Sequence, residues 1–235
     1  DTIRQYSSHG SIKGYSGYID INLAYLTEEE WKELAKGKTE KAAADQPVKA
    51  ETKWADEVYK TTSPAKISNS GSDEHGNYKG GQAGDQTGRE WYIRDWYNRP
   101  WNCVLRHPNA EVRKCLATLA VKAAKNDRIG YDQSQRETYK EALMEAGWDP
   151  EAIKRNVESD CSAGVIANII ATGYILGIAG LQRFGATYTG NMRAEARNRG
   201  FEILTESKYL TSSEYLMAGD IPLNDKHHVC TVVTN

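Results

Sequence analysis

The stretch ESDCSAGVIANII, residues 158–170, puts a cysteine where a polar turn gives way to an apolar run. Ser159 and Asp160 carry side-chain oxygens of the kind that cap helix N-termini. The AGVIANIIATGYILGIAG that follows is too long and too apolar for an edge strand. The pattern predicts a buried helix of about 16 residues, from 161 to about 177, with Cys161 in its first turn. There, unpaired backbone N–H groups and the positive end of the helix dipole favour a thiolate, so the expected pKa is lowered and the nucleophilic fraction raised. Cysteine is also a common core residue, and position alone leaves both readings open.

A reactive thiol needs a base, and the chain has five histidines. His9 in SSHGS and His75 in DEHGN sit in polar turns, and His107 in LRHPN precedes a proline. His227 and His228 open the strand-like KHHVCTVVTN, where a rigid element would hold an imidazole in place. Adjacent strand residues point to opposite faces, so only one of the pair can serve.

The rest of the chain sets bounds. Its 235 residues suffice for one large domain, or for one domain with a smaller appendage. With 30 Lys+Arg against 32 Asp+Glu, the net charge of −2 excludes a single-sign field of the kind that binds nucleic acid or an anionic membrane. No apolar run approaches the roughly 20 residues a bilayer requires, which argues against membrane insertion. The sequence starts at Asp1 with no basic, apolar leader, as expected of a processed or excised chain. Four cysteines, at 103, 115, 161 and 230, are widely spaced without a C-x-x-C pair, so free thiols are expected rather than a disulfide scaffold or a zinc site.

Along the chain, YIDINLAY (18–25) alternates like a half-buried strand. LTEEEWKELAKG after it has a capping box, Thr27 with Glu30, and a stop at Gly37. Residues 1–36 therefore read as a small strand–helix segment and 37–66 as a connector with Trp54, Val58 and Tyr59 as anchors. A Gly-rich stretch from about 68 then turns dense in aromatics and predicts short strands near 90–94 and 102–105. Helices are expected in NAEVRKCLATLAVKAAKND, capped by Asn109 with Cys115 on its apolar stripe, and in SQRETYKEALMEAGW, ended by Gly147 and Pro150.

Set beside these segments, DCSAG resembles the D-C-S-G of NlpC-type cell-wall cysteine peptidases. NDRIGYDQ is similar to the segment that places a tyrosine beside the nucleophile there, AGDIPL to the Gly-Asp segment before the base strand, and HHVCTVV to the strand itself. More narrowly, GGQAGDQTGREWYIRDWYNRPWNCVLR together with IGYDQ, ESDCS and AGDIPLNDKHH looks like the catalytic domain of endolysins from phages and prophages of Gram-positive bacteria. The resemblance covers residues 67–235. It implies an α+β, papain-like fold in which an antiparallel sheet packs on helices and the nucleophile starts a core helix.

By that resemblance Cys161 is the nucleophile, its own backbone N–H contributes to the oxyanion site, and Tyr131 stands beside it. His228 is the base in preference to His227, because valine follows it directly. The reaction expected is metal-free and cofactor-free hydrolysis of an amide in the stem peptide or cross-bridge of bacterial peptidoglycan. It would take place at the cell wall after synthesis in a host cytoplasm, if the gene is a phage's. An N-acetylmuramoyl-L-alanine amidase would use the same residues; a non-catalytic phage structural or binding module and an intracellular toxin peptidase are the readings from other classes. Trp91, Tyr92, Trp96, Tyr97 and Trp101 would build either a wall-binding groove or core.

Three departures from the family pattern stand out. Ala163 replaces the glycine after D-C-S, with Gly164 one place on, which implies a slightly different helix packing. Cys230 shares a strand face with His228 and is expected to be structural. The residue that orients the base usually lies on the next strand, yet Asn235 would be about 23 Å from His228 along a strand at roughly 3.3 Å per residue. Asp85 or Gln86 of the GDQTG loop, folded over the cleft, is the expected substitute.

Overall fold

A computed structural model describes residues 3–10, 19–24 and 54–234. The chain divides into two compact units, residues 1–50 and 51–235. In the first, β1 (Ile3–Gly10) and β2 (Ile19–Ala24) pair antiparallel with Ile3 opposite Ala24, and the register slips on either side of Ser7. The expected strand corresponds to β2; the helix expected after Thr27 lies outside the described residues.

The second unit is α+β. In chain order it contains β3 (Lys66–Ser70), β4 (Trp91–Asp95), β5 (Cys103–Arg106), α1 (Ala110–Ala124), β6 (Ile129–Tyr131), α2 (Thr138–Glu145), β7 (Val157–Ser159) and α3 (Cys161–Ile175). There follow α4 (Ala179–Gln182), α5 (Thr189–Asn198), β8 (Glu202–Leu204), α6 (Ser207–Leu210), β9 (Ile221–Asn224), β10 (His228–Val229) and β11 (Thr231–Val232). One antiparallel sheet runs β10-β9-β5-β8, a second β11-β3-β4, and β6 pairs with β7 in parallel. The chain passes between the two antiparallel sheets at Cys230, the residue separating β10 from β11. Its N–H bonds Pro222 O at 3.2 Å, and Val232 N–H bonds Asp220 O at 2.8 Å, so one stretch stitches both sheets together.

α3 is the axis of the unit because its sequence is apolar on every side. Residues 162–169 are all buried, which is the signature of a helix enclosed by protein rather than laid on a surface. Val165, Ile166 and Ile169 pack with Val112, Leu116, Phe184, Met192 and Phe201, whereas Ala167 and Ala171 pack with Leu119, Ile129, Tyr139 and Leu143. Each such aliphatic side chain contributes about 1.5–3 kcal/mol when fully removed from water. A Cβ at Gly164 would fall on the Trp91 ring. The displaced glycine therefore lets β4 approach α3, and Trp91 completes the contact by packing edge-on to Tyr139 at 5.1 Å and donating its indole N–H to Ser68 Oγ at 2.8 Å.

Residues 54–66, read from sequence as the end of a connector, supply packed structure. Val58 is buried with Ala117, and Ala55 N–H bonds Thr118 Oγ1 at 3.2 Å. The spacing of these anchors was too sparse for a periodic signal. Of the aromatic-dense segment, Trp91 and Trp101 are core, while Tyr92 and Tyr97 reach a surface cavity. All four cysteines are free, and Cys115 and Cys230 are buried.

Candidate active site

Cys161 is the first residue of α3, and Asp160 caps the helix. Asp160 Oδ1 accepts the N–H groups of Ser162 and Ala163 and the Ser162 hydroxyl, each at 2.8 Å. Its other oxygen pairs with Arg136 Nε at 3.0 Å, and Arg136 also reaches Ser162 Oγ and Thr187 O, each at 2.9 Å. The helix start is thus pinned from outside. The cap also places a carboxylate beside the helix end that was expected to acidify the thiol. Burial, followed by the adjacent Asp160 charge, pushes the Cys161 thiol up to about 11, against a smaller opposing contribution from the Val229 N–H. The expected lowering is therefore reversed: a half-buried thiol beside its own capping carboxylate rests protonated at neutral pH.

His228 stands on β10, buried, beside the Trp101 ring at 6.0 Å. Its Nε2 bonds Asn69 Oδ1 at 2.9 Å. An amide oxygen only accepts, so Nε2 carries the proton and Nδ1 of the neutral ring is left as the basic nitrogen. Burial first, then the charges of Arg99 and Arg94, hold the imidazole down to about 4. Asn69 lies on β3, whose neighbour β11 is the strand that follows His228, with Thr231 opposite Ser68. The sheet therefore brings the polar partner of His228 from far upstream in sequence. Asn69 was not singled out from the sequence, because a single asparagine in KISNS carries no periodic or motif signal; only strand pairing reveals it.

Cys161, His228, Tyr131, His227 and Asn69 all line one cavity of about 490 Å³. Tyr131 ends β6, and its hydroxyl accepts Gln133 Nε2 at 3.1 Å, which leaves the phenolic proton to be donated elsewhere. Burial, and then the neighbouring Cys161, hold that phenol above its usual range. His227 is exposed in the turn before β10, its N–H bonded to Asn224 O at 3.1 Å.

Asp85 and Gln86 lie away from the cavity, and the orienting role expected of them does not fit their positions. Asp85 is buried with its carboxylate taken by four backbone N–H groups, those of Thr87, Arg89, Glu90 and Trp91, at 3.0 to 3.2 Å. Gln86 turns back onto Ala83 O and Gly84 O, both at 3.0 Å. The two hold together the loop between β3 and β4. That loop docks on β6 and β7: Gly84 N–H bonds the Glu158 carboxylate at 2.5 Å, Asp85 N–H bonds Asp127 O at 2.8 Å, and Gln133 N–H bonds Tyr78 O at 2.9 Å. Among the described residues, the group with metal-ligand spacing is Asp73, Glu74 and His75, whose ligand atoms lie within 4.8 Å of one another; none of the three lines the cavity.

The profile of a family described as the endolysin-like domain matches residues 67–235, well over half of the chain. Searches of curated proteins and of solved structures find no match.

Proposed function

The chain belongs to the endolysin-like domain family, and from that premise we propose that it hydrolyses peptidoglycan as a cysteine peptidase of NlpC type, cutting an amide of the stem peptide or cross-bridge. The observation that carries the reading is the shared cavity: a cysteine at a capped helix start, a buried histidine whose Nε2 is bonded to an amide oxygen, and a tyrosine beside them.

In this reading His228 Nδ1 takes the Cys161 thiol proton as sulfur attacks the amide carbonyl carbon. An S–C bond forms while the carbonyl becomes an oxyanion, which in this reading the Cys161 N–H and the Tyr131 hydroxyl stabilise. The C–N bond then breaks, and His228 gives its proton to the leaving amine. Water attacks the thioester, surrenders a proton to His228, and the carboxylate product departs as the thiol is restored. A neutral thiol with a neutral imidazole is the resting pair, so the ionic pair forms only along the reaction. Asn69 supports catalysis over the non-catalytic reading, since its contact provides the orientation that the sequence lacked downstream of His228. Cys161→Ser should abolish peptide release from purified walls while leaving the fold intact; unchanged release would end the proposal.

A further inference from the structure

Four cations edge the cavity that holds Cys161 and His228: Arg89, Arg94, Arg99 and Lys226. Among the described residues, no aspartate or glutamate lines it. Among the described residues, none of the four is in an ion pair, although most other basic side chains near acids are. The chain carries a net charge of −2, so this is a local concentration and not part of a basic surface. What the arginines do touch is neutral. Arg94 Nη1 donates to Tyr92 Oη at 3.3 Å and its guanidinium lies over the Tyr97 ring at 4.3 Å, while Arg99 Nη1 donates to Tyr97 Oη at 3.4 Å. The tyrosines fix the direction of both forks without neutralising them, and further N–H donors on each remain for a ligand.

We propose, resting on the hydrolase reading above, that the cavity is built for a substrate with a free carboxylate on the residue flanking the scissile amide, gripped by Arg94 and Arg99, with Arg89 and Lys226 drawing it in from the rim. A guanidinium fork matches a carboxylate in shape and charge, and unpaired cations around a partly enclosed cavity raise the local concentration of an anionic ligand. The same two arginines disfavour the His228 imidazolium. A carboxylate seated between them offsets that field, so the matching substrate also makes the base more able to accept the thiol proton. Peptide stems with a free carboxylate next to the cut bond are then selected over those whose carboxylate is masked as an amide.

The test compares cleavage of purified Gram-positive walls, stripped of teichoic acid, before and after carbodiimide-mediated conversion of their carboxylates to carboxamides. Wild-type protein should cut the untreated walls at least about tenfold faster, and Arg94→Gln and Arg99→Gln should each shrink that preference to about threefold or less. Equal rates on both walls would overturn the carboxylate assignment while leaving the hydrolase reading intact. So would a preference that appears only when teichoic acid is left in place, because phosphate would then be the anion recognised. A binding arm keeps the two readings apart. Inactive Cys161→Ala protein is titrated with a synthetic stem tetrapeptide bearing free carboxylates and with its carboxamide twin. Tighter binding of the free acid, lost in the Arg94→Gln background and weakened by salt, sustains the carboxylate site even if no wall is cut; equal binding overturns it.

Discussion

At the scale of single residues, Asp160 neighbours Cys161 and Asn69 is bonded to His228, so each bears on the proposed site. Asp160 caps α3 and at the same time holds the neighbouring thiol up, so charge and capping separate on substitution. Asp160→Asn keeps a good capping side chain and removes the charge. Its Cys161 should react with iodoacetamide about threefold to tenfold faster at pH 8, where the thiolate is a minority species. An unchanged rate would mean that Asp160 has no hold on the thiol. Asn69→Ala should lower kcat by about tenfold or more, short of the ~10²–10⁴ that an acid–base residue contributes, with KM little changed. The acid limb of the wild-type kcat/KM profile should fall near pH 4, because the imidazole must be neutral to act. Removing either Arg94 or Arg99 takes away a charge that opposes the imidazolium, and therefore should move that limb upward. Cys161 and His228 stand out in local sequence patterns and Tyr131 only through the family resemblance, and the structure brings the three to one cavity. Asn69 does not stand out, since its role exists only through a long-range strand pairing.

At the scale of elements, the loop between β3 and β4 is held down by buried carboxylates. Glu158 on β7 is 1% exposed and accepts the Gly84 N–H through one oxygen, while the other has no partner among the described residues. Burial, reinforced by the nearby Glu90 and Asp132 charges, pushes Glu158 up to about 8. A carboxyl raised above its unfolded value contributes stability in full at acid pH, and loses it as pH rises through the folded value. The unit should therefore weaken between pH 5 and pH 8 by on the order of 3 kcal/mol from this group alone. Glu158→Gln should flatten that loss when unfolding is followed in urea at both pH values. A variant as sensitive to pH as wild type would show that Glu158 is ionised throughout. The helices around this loop were readable from sequence. Asn109 caps α1 through the Glu111 N–H at 2.8 Å, and α3 begins at the residue the capping pattern indicates. Asp85 and Gln86 look in sequence like candidates for a cleft, whereas their hydrogen bonds are spent on the loop's own backbone.

At the scale of the whole molecule, every hydrophobic cluster among the described residues is assembled from positions 54 to 233. The endolysin-like match begins at residue 67, yet the packed unit takes in Ala55 and Val58 as well. Relative to removal of residues 1–50, removal of residues 1–66 should cost about 2 kcal/mol or more through loss of the Val58 and Ala65 contacts. Melting curves of the two truncations check this, and equal stability would place the boundary at 67. The α+β class was expected from the family resemblance of residues 67–235, and the central helix from a run that is apolar on all sides. How two sheets meet at Cys230 was not, for the exchange depends on hydrogen bonds donated to the Pro222 and Asp220 carbonyls that no local pattern encodes.

The central claim, a Cys161–His228 hydrolase of the peptide part of the wall, is tested most directly by mass spectrometry of walls digested with wild-type and Cys161→Ser protein. The expected result is new paired amino and carboxyl termini within the peptides, with the sugar–peptide linkage intact, all absent from the Cys161→Ser digest. Identical products from both proteins, or no new termini from either, would contradict it.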